Sequence, residues 1–301
     1  MSANHAIRGH NLTRTFGEVQ ALKEVSFTVP ANSITGLLGR NGAGKTTLMS
    51  LITGQDRANS GTVTVLGRKP FEDSAAQRSM SYIRDNQRYP DDYKLHHAFR
   101  AASFFHPGWD QGLAEELAKK FNLPTKTVVS KYSRGQTSAL SLILGMAART
   151  PVTLLDEPYL GLDATARRMF YDLLIDEFTN HPRTFLVSTH LISEMENLLD
   201  HVIVLNRGEV VLETSAAAAI SQFSTITGTG AALDQALPAL TGLTVLQRHD
   251  VGSLSSATLR GELTDAHRAT LTNAGVEVAG TSLQDAVAAL GELPGPGEET
   301  S

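Results

Sequence analysis

Gly39-Arg40-Asn41-Gly42-Ala43-Gly44-Lys45-Thr46 meets the pattern G-x-x-x-x-G-K-[ST] at every fixed position. The preceding Ser33-Ile34-Thr35-Gly36-Leu37-Leu38 reads as a short buried strand, and the following Thr47-Leu48-Met49-Ser50-Leu51-Ile52 as the first turns of a helix. An ordinary glycine-rich turn needs neither neighbour. In this setting the glycines let backbone N–H groups curl around phosphate oxygens, and the helix N-terminus adds partial positive charge. Lys45 is placed to reach the outer phosphates and the Thr46 hydroxyl to ligate Mg²⁺. The stretch predicts a nucleoside triphosphate site formed by Gly39, Arg40, Asn41, Gly42, Ala43, Gly44, Lys45, Thr46 and Thr47.

The rest of the composition is that of an ordinary globular protein. The 301 residues are 41% hydrophobic and 19% charged, enough for one large domain with a smaller appendage. The absence of cysteine excludes disulfides, thiolate zinc sites and cysteine nucleophiles, and suits a reducing cytosol. A net charge of −5 gives no reason to expect a nucleic-acid partner. No apolar run approaches the roughly 18 residues of a membrane span, and the N-terminus lacks a basic-then-apolar leader pattern. A cytosolic chain is expected, reaching a membrane only through a partner.

Charge and texture divide the chain. Residues 211–301 hold three arginines, no lysine and ten carboxylates, whereas the first 210 hold 23 basic and 21 acidic residues. The run Ala216-Ala217-Ala218-Ala219 and the Gly/Thr-rich residues 225–230 mark a boundary. The expected organisation is a main domain over 1–222, a small α+β extension over 228–291 and a disordered tail over 292–301. Within the main domain, 7–84 read as strands around one helix. Residues 96–106, 112–121 and 136–149 read as helices of an insert spanning about 88–150. From 152 onward strands and helices alternate, which predicts a parallel sheet with helical crossovers. In the extension, 243–246 and 257–260 read as strands and 265–275 as a helix, with Ser282 capping another.

Three further motifs carry chemistry. Val152-Thr153-Leu154-Leu155-Asp156-Glu157 is an apolar strand ending in two carboxylates, at the strand end where ligands of parallel sheets bind. Asp156 suits a Mg²⁺ role and Glu157 that of a general base toward water. Val187-Ser188-Thr189-His190 ends the next strand. A lone histidine there is commonly a hydrogen-bonded structural residue, yet it also lies within reach of a γ-phosphate and its attacking water. Tyr132-Ser133-Arg134-Gly135-Gln136 opens a helix. Ser133 reads either as its N-cap or, with the Gly135 amide, as part of a second anion site.

Taken together these motifs resemble the ATP-binding subunit of an ABC transporter. The order of the resemblance over about 5–222 is the phosphate loop, signature Ser133-Arg134-Gly135-Gln136, Walker B ending at Asp156, catalytic Glu157, D-loop Gly161-Leu162-Asp163 and switch His190. It implies a P-loop ABC-type ATPase core, α/β in class, with a mixed sheet, an antiparallel β region and a helical subdomain. It also implies ATP and Mg²⁺ as ligands, and Phe16 stacking on adenine, although Phe16 also reads as a core residue. Two departures stand out. Arg134 replaces the usual signature glycine, a form similar to that of small bacterial exporters of the Ecs and Ytr type. The Q-loop glutamine falls by register on Asp85, an aspartate able to contact Mg²⁺ or its water but not to donate as an amide does, with Gln87 two residues on as the alternative.

The resemblance further implies a dimer, homo- or heteromeric, in which ATP lies between Lys45, Thr46 and Glu157 of one subunit and Ser133, Gly135 and Gln136 of the other. An integral membrane permease is the implied second partner, placing the chain on the inner face of the membrane. Phe99, Phe104, Phe105 and the sole tryptophan, Trp109, read either as the core of the helical insert or as a docking surface for that permease. The extension resembles those of bacterial exporter ATPases and reads equally as a regulatory or dimer contact and as a passive appendage. A chromosome-type ATPase is disfavoured by the lack of a long coiled-coil insertion between 45 and 133, and a ribosome-type one by the single ATPase unit. A non-catalytic nucleotide sensor is disfavoured by Glu157 and His190.

Overall fold

A computed structural model of the protein describes residues 5–84 and 87–292. Its strands are β1 (His5–Phe16), β2 (Val19–Pro30), β3 (Ile34–Leu38), β4 (Ser60–Val65), β5 (Met80–Arg84), β6 (Val152–Asp156), β7 (Thr184–Thr189), β8 (His201–Asn206), β9 (Glu209–Ser215), β10 (Phe223–Thr229), β11 (Thr244–Val251), β12 (Leu254–Arg260) and β13 (Glu277–Gly280). They form three sheets. The central sheet runs β5-β6-β7-β3-β8-β9, parallel except for β9, which closes the edge antiparallel to β8.

Every residue of β3, β6 and β7 is buried, as expected for parallel strands covered on both faces. One face carries the antiparallel sheet β2-β1-β4, with helix Lys45–Ile52 in the core between the two sheets. In β2 the alternating Val25, Phe27 and Val29 are buried, and they pack with Leu48, Met49 and Ile52 of that helix. The other face is covered by helices, among them Leu95–Phe105, Gln111–Lys120, Arg134–Ala147 and Ala164–Asn180.

A buried ionic chain anchors the helical insert. Arg149 joins Asp110 at 3.0 Å and Glu177 at 3.3 Å. Arg183 binds Glu177 at 3.1 Å and donates to the Met146 carbonyl at 2.9 Å. The four aromatics of the insert divide between its two expected uses. Phe99 is buried with Trp109 against it, ring centres 5.7 Å apart, whereas Phe104 and Phe105 are 77% and 68% exposed.

The C-terminal region departs from its expected boundaries. The stretch 225–230, read as a connector, lies mostly within β10, which pairs with both β12 and β13 in the sheet β11-β12-β10-β13. The extension therefore begins at Phe223 rather than at 228. Gly228 here is packed strand: a Cβ would meet Leu233 and Val276 at 3.1 and 3.2 Å. The last helix, Leu283–Gly291, leaves this sheet and packs Leu283, Ala286, Val287 and Leu290 into the core beneath the central sheet. Glu292, placed by the sequence in a disordered tail, caps that helix and accepts a hydrogen bond from Gln247 at 2.7 Å. The remainder of the expected tail, 293–301, lies outside the described residues.

Candidate nucleotide-binding and active site

Strands β6, β7 and β3 are neighbours, so their C-terminal tips bring Asp156-Glu157, His190 and the phosphate loop to one edge of the sheet. The loop is shaped by its glycines. Gly39, Gly42 and Gly44 have φ of 146°, 82° and 107°, a region L side chains rarely adopt. At Gly39 a Cβ would lie 2.3 Å from the Leu205 carbonyl oxygen, and at Gly44 2.8 Å from that of Ala21. Gly44 is the N-cap of helix Lys45–Ile52, and no side chain caps this end. The first amides of the helix are thus left for an external acceptor.

The Lys45 side chain is buried, and its Nζ donates to the carbonyls of Gly39 at 2.8 Å and Arg40 at 3.3 Å. Burial pushes its pKa down, while the carboxylates of Glu157 and Asp156 push it back up. Glu157 Oε1 lies 3.8 Å from Nζ. Thr46 is exposed in the same cleft of about 730 Å³, which Asn41, Gly42, Thr47, Glu157 and His190 also line. Arg40 is exposed and Ala43 buried, its amide bonded to the Arg40 carbonyl at 3.1 Å.

Asp156 is buried, with one hydrogen bond to each oxygen: Ser188 Oγ donates to Oδ1 at 2.5 Å, and the Tyr82 hydroxyl to Oδ2 at 3.3 Å. Glu157 sits at φ 50° and is held by its own amide, which donates to Ser188 O at 3.3 Å and Oγ at 3.2 Å. His190 Nδ1 lies 2.6 Å from Glu157 Oε2. Tyr159 completes this group, its hydroxyl donating to the same Oε2. Burial, with the carboxylate beside it, raises the pKa of that phenol, which stays protonated. Ser188, Tyr82 and Tyr159 were not singled out from the sequence. Ser188 was visible only as part of a strand, and its partnership with Asp156 follows from the register of β6 on β7.

The signature residues lie elsewhere. Ser133 and Gln136 form a capping box at the start of helix Arg134–Ala147: Gln136 N donates to Ser133 Oγ at 3.2 Å, and Ser133 N to Gln136 Oε1 at 3.0 Å. Arg134 lines a separate cavity with Arg84, Gln87 and Arg88. Gly135 packs against the D-loop, where a Cβ would meet Gly161 O at 2.8 Å, and Ser138 Oγ donates to Leu160 O at 2.6 Å. Asp163 caps the next helix through Ala166 N at 2.8 Å. Phe16 is no core residue: it is 48% exposed, with the Arg14 guanidinium 4.3 Å from its ring centre. Gln87 is half-buried and lines cavities facing the helical insert, and Asp85 lies outside the described residues.

A family model described as ABC transporter matches residues 22–160. The chain is 31% identical over 191 residues to the ABC transporter ATP-binding protein YtrB of Bacillus subtilis, spanning 64% of this chain and 65% of YtrB. It is likewise 31% identical over 215 residues to the uncharacterized ABC transporter ATP-binding protein MJ1023 of Methanocaldococcus jannaschii, spanning 68% of this chain and 76% of MJ1023. The chain belongs to the ABC transporter ATP-binding family. By family it is an ABC-type ATPase, and its fold is that of the ABC cassette. The dimeric post-hydrolysis structure of the cassette MJ0796, bound to ADP and Pi, superposes with a TM-score of 0.61 at 22% identity, covering 70% of this chain and 98% of that one.

The residues at the cleft suit ATP with Mg²⁺. Among the described residues no group of three or more His, Cys, Asp or Glu could enclose a metal; the Thr46 hydroxyl in the cleft is the kind of hard oxygen donor that Mg²⁺ would take along with waters and phosphate oxygens. No helix of the described residues is long and apolar enough to cross a membrane.

Proposed function

We propose that this ABC cassette hydrolyses ATP and drives a separate membrane permease by closing as a dimer. One observation carries the reading: Lys45, Glu157 and His190 line one cleft, while Arg134, at the start of the signature helix, lines another. A single chain therefore offers a phosphate cleft and, apart from it, a second helix end suited to an anion. In a head-to-tail dimer each would complete the other, as the dimeric assembly of MJ0796 suggests.

Lys45 and the loop amides would hold the β- and γ-phosphates, and Phe16 would stack on adenine. Thr46 would ligate Mg²⁺, with Asp156 acting through a water and Asp85 or Gln87 as the Q-loop contact; the ion neutralises phosphate charge when bound. Glu157 would take a proton from the attacking water at a carboxylate oxygen, and His190 would hold that carboxylate and contact the γ-phosphate. Loss of the γ-phosphate removes the shared contact and lets the halves part.

The exposed Phe104 and Phe105 suit a permease contact, which would place the chain on the inner membrane face. Export is the proposed direction, supported by the exporter-like form of the signature; uptake of substrate by inside-out vesicles containing the complex tests it. Glu157→Gln is expected to lower hydrolysis by about 10²–10³ while retaining ATP and shifting the protein to a dimer in size-exclusion chromatography. Lost hydrolysis with an unchanged oligomeric state would count against the dimer mechanism.

A further inference from the structure

Tyr159 lies between the Walker B strand and the D-loop, 3% exposed, with its ring edge-on to the His190 imidazole at 5.5 Å. Its hydroxyl sits at the centre of a closed set of donors and acceptors. The His190 backbone N–H, which can only donate, reaches the phenol oxygen at 2.9 Å. Thr189 Oγ1 reaches it at 2.9 Å as well, and itself accepts from the Leu191 amide at 2.9 Å, so that its proton is directed to the phenol. A phenol has two acceptor sites and one proton. With both acceptor sites filled, the proton goes to Glu157 Oε2, a carboxylate oxygen that can only accept, in preference to His190 Nδ1 at 3.1 Å, which itself faces that oxygen at 2.6 Å.

We propose that Tyr159 is a positioning residue for ATP hydrolysis. It fixes the Glu157 carboxylate and the backbone of the switch histidine to each other. Oε2 then carries two hydrogen bonds, from Tyr159 and from His190 Nδ1, while Oε1 is left toward Lys45 and the phosphate cleft. The tyrosine thereby selects which carboxylate oxygen receives the proton of water. It also ties the tip of β6 to the tip of β7, across residues 31 apart in sequence, so Glu157 and His190 move as one unit. Misplacement of a base by about 1 Å costs on the order of a hundredfold in rate, so a tether of this kind acts on turnover more than on binding.

The inference rests on Glu157 as the general base. The test compares ATP turnover and melting temperature of the full chain with those of Tyr159→Phe, which keeps the ring and removes the hydroxyl. Turnover of the folded protein should fall by about ten- to a hundredfold, with KM for ATP unchanged. Thr189→Val, which removes a donor to the phenol and the acceptor of the Leu191 amide but leaves the tyrosine in place, should lower kcat in the same way but less. In a Glu157→Gln background, Tyr159→Phe should leave the residual single-turnover rate unchanged, because the tyrosine acts through that carboxylate. Wild-type turnover in both Tyr159→Phe and Thr189→Val overturns the proposal, as does an equal fold-loss from Tyr159→Phe with and without Glu157. A rise in KM together with a lower melting temperature overturns it in favour of plain packing. Undiminished hydrolysis in Glu157→Gln alone would instead remove the reading of Glu157 as base.

Discussion

The two helix N-termini that the sequence marks as anion sites are finished in opposite ways. At Lys45–Ile52 the cap is Gly44 with no side-chain hydrogen bond, so the amides of the first turn remain available. At Arg134–Ala147 the cap is Ser133, locked in a reciprocal box with Gln136. A hydroxyl that accepts from Gln136 N still has its own proton to give. The first end is thus built to surround a phosphate with backbone, and the second to offer one or two side-chain donors from a rigid helix. The difference is that between a site that holds a ligand by itself and one that contacts a ligand already held.

That comparison can be broken most severely at the loop. Lys45→Ala removes the buried cation and its hydrogen bonds to the Gly39 and Arg40 carbonyls, of which Arg40 keeps the Ala43 amide. ATP affinity by calorimetry is expected to fall about a hundredfold, since a charged hydrogen bond contributes about 1.5–3 kcal/mol. Retained affinity would show that the backbone alone suffices.

Ser133 sharpens the other side. Ser133→Ala should cost about 1 kcal/mol of stability through the lost cap and Ser133→Gly only a few tenths. Both should reduce hydrolysis by about tenfold, with ATP affinity of the isolated chain unchanged. If hydrolysis tracked stability across the two variants, Ser133 would be a cap and nothing more. The smallest effect is expected at Phe16→Ala, about fivefold in ATP affinity, from the low end of base-stacking energies near 1 kcal/mol. An unchanged affinity would restrict recognition to the phosphate end.

How much of this was legible depended on whether a feature is local in sequence. Strand β6 is legible to its last residue because an apolar run, interrupted only by Thr153, ends in Asp156. The phosphate loop was legible for the same reason, since its glycines, lysine and threonine act within eight consecutive positions. The hydroxyls of Ser188 and Tyr159 were not, because they matter only through contacts between the tips of β6 and β7, which a register sets and a motif does not print. Strand β10 was missed because Phe223, Ile226 and Gly228 are its buried positions, a spacing that breaks strict alternation. Its glycine and threonines resembled a linker until their neighbours were known.

The last helix has a consequence for synthesis. Leu283, Ala286, Val287 and Leu290 fill a core whose other members lie far earlier in the chain. Asn206 binds the Leu290 carbonyl at 3.1 Å, and Arg40 of the phosphate loop sits beside Gly291. During translation the part of that core which this helix covers therefore stays open until residue 290 has left the ribosome. A shortened gene that stops near 222 would leave that part bare for good, and its product is expected to collect in inclusion bodies rather than behave as a minimal cassette.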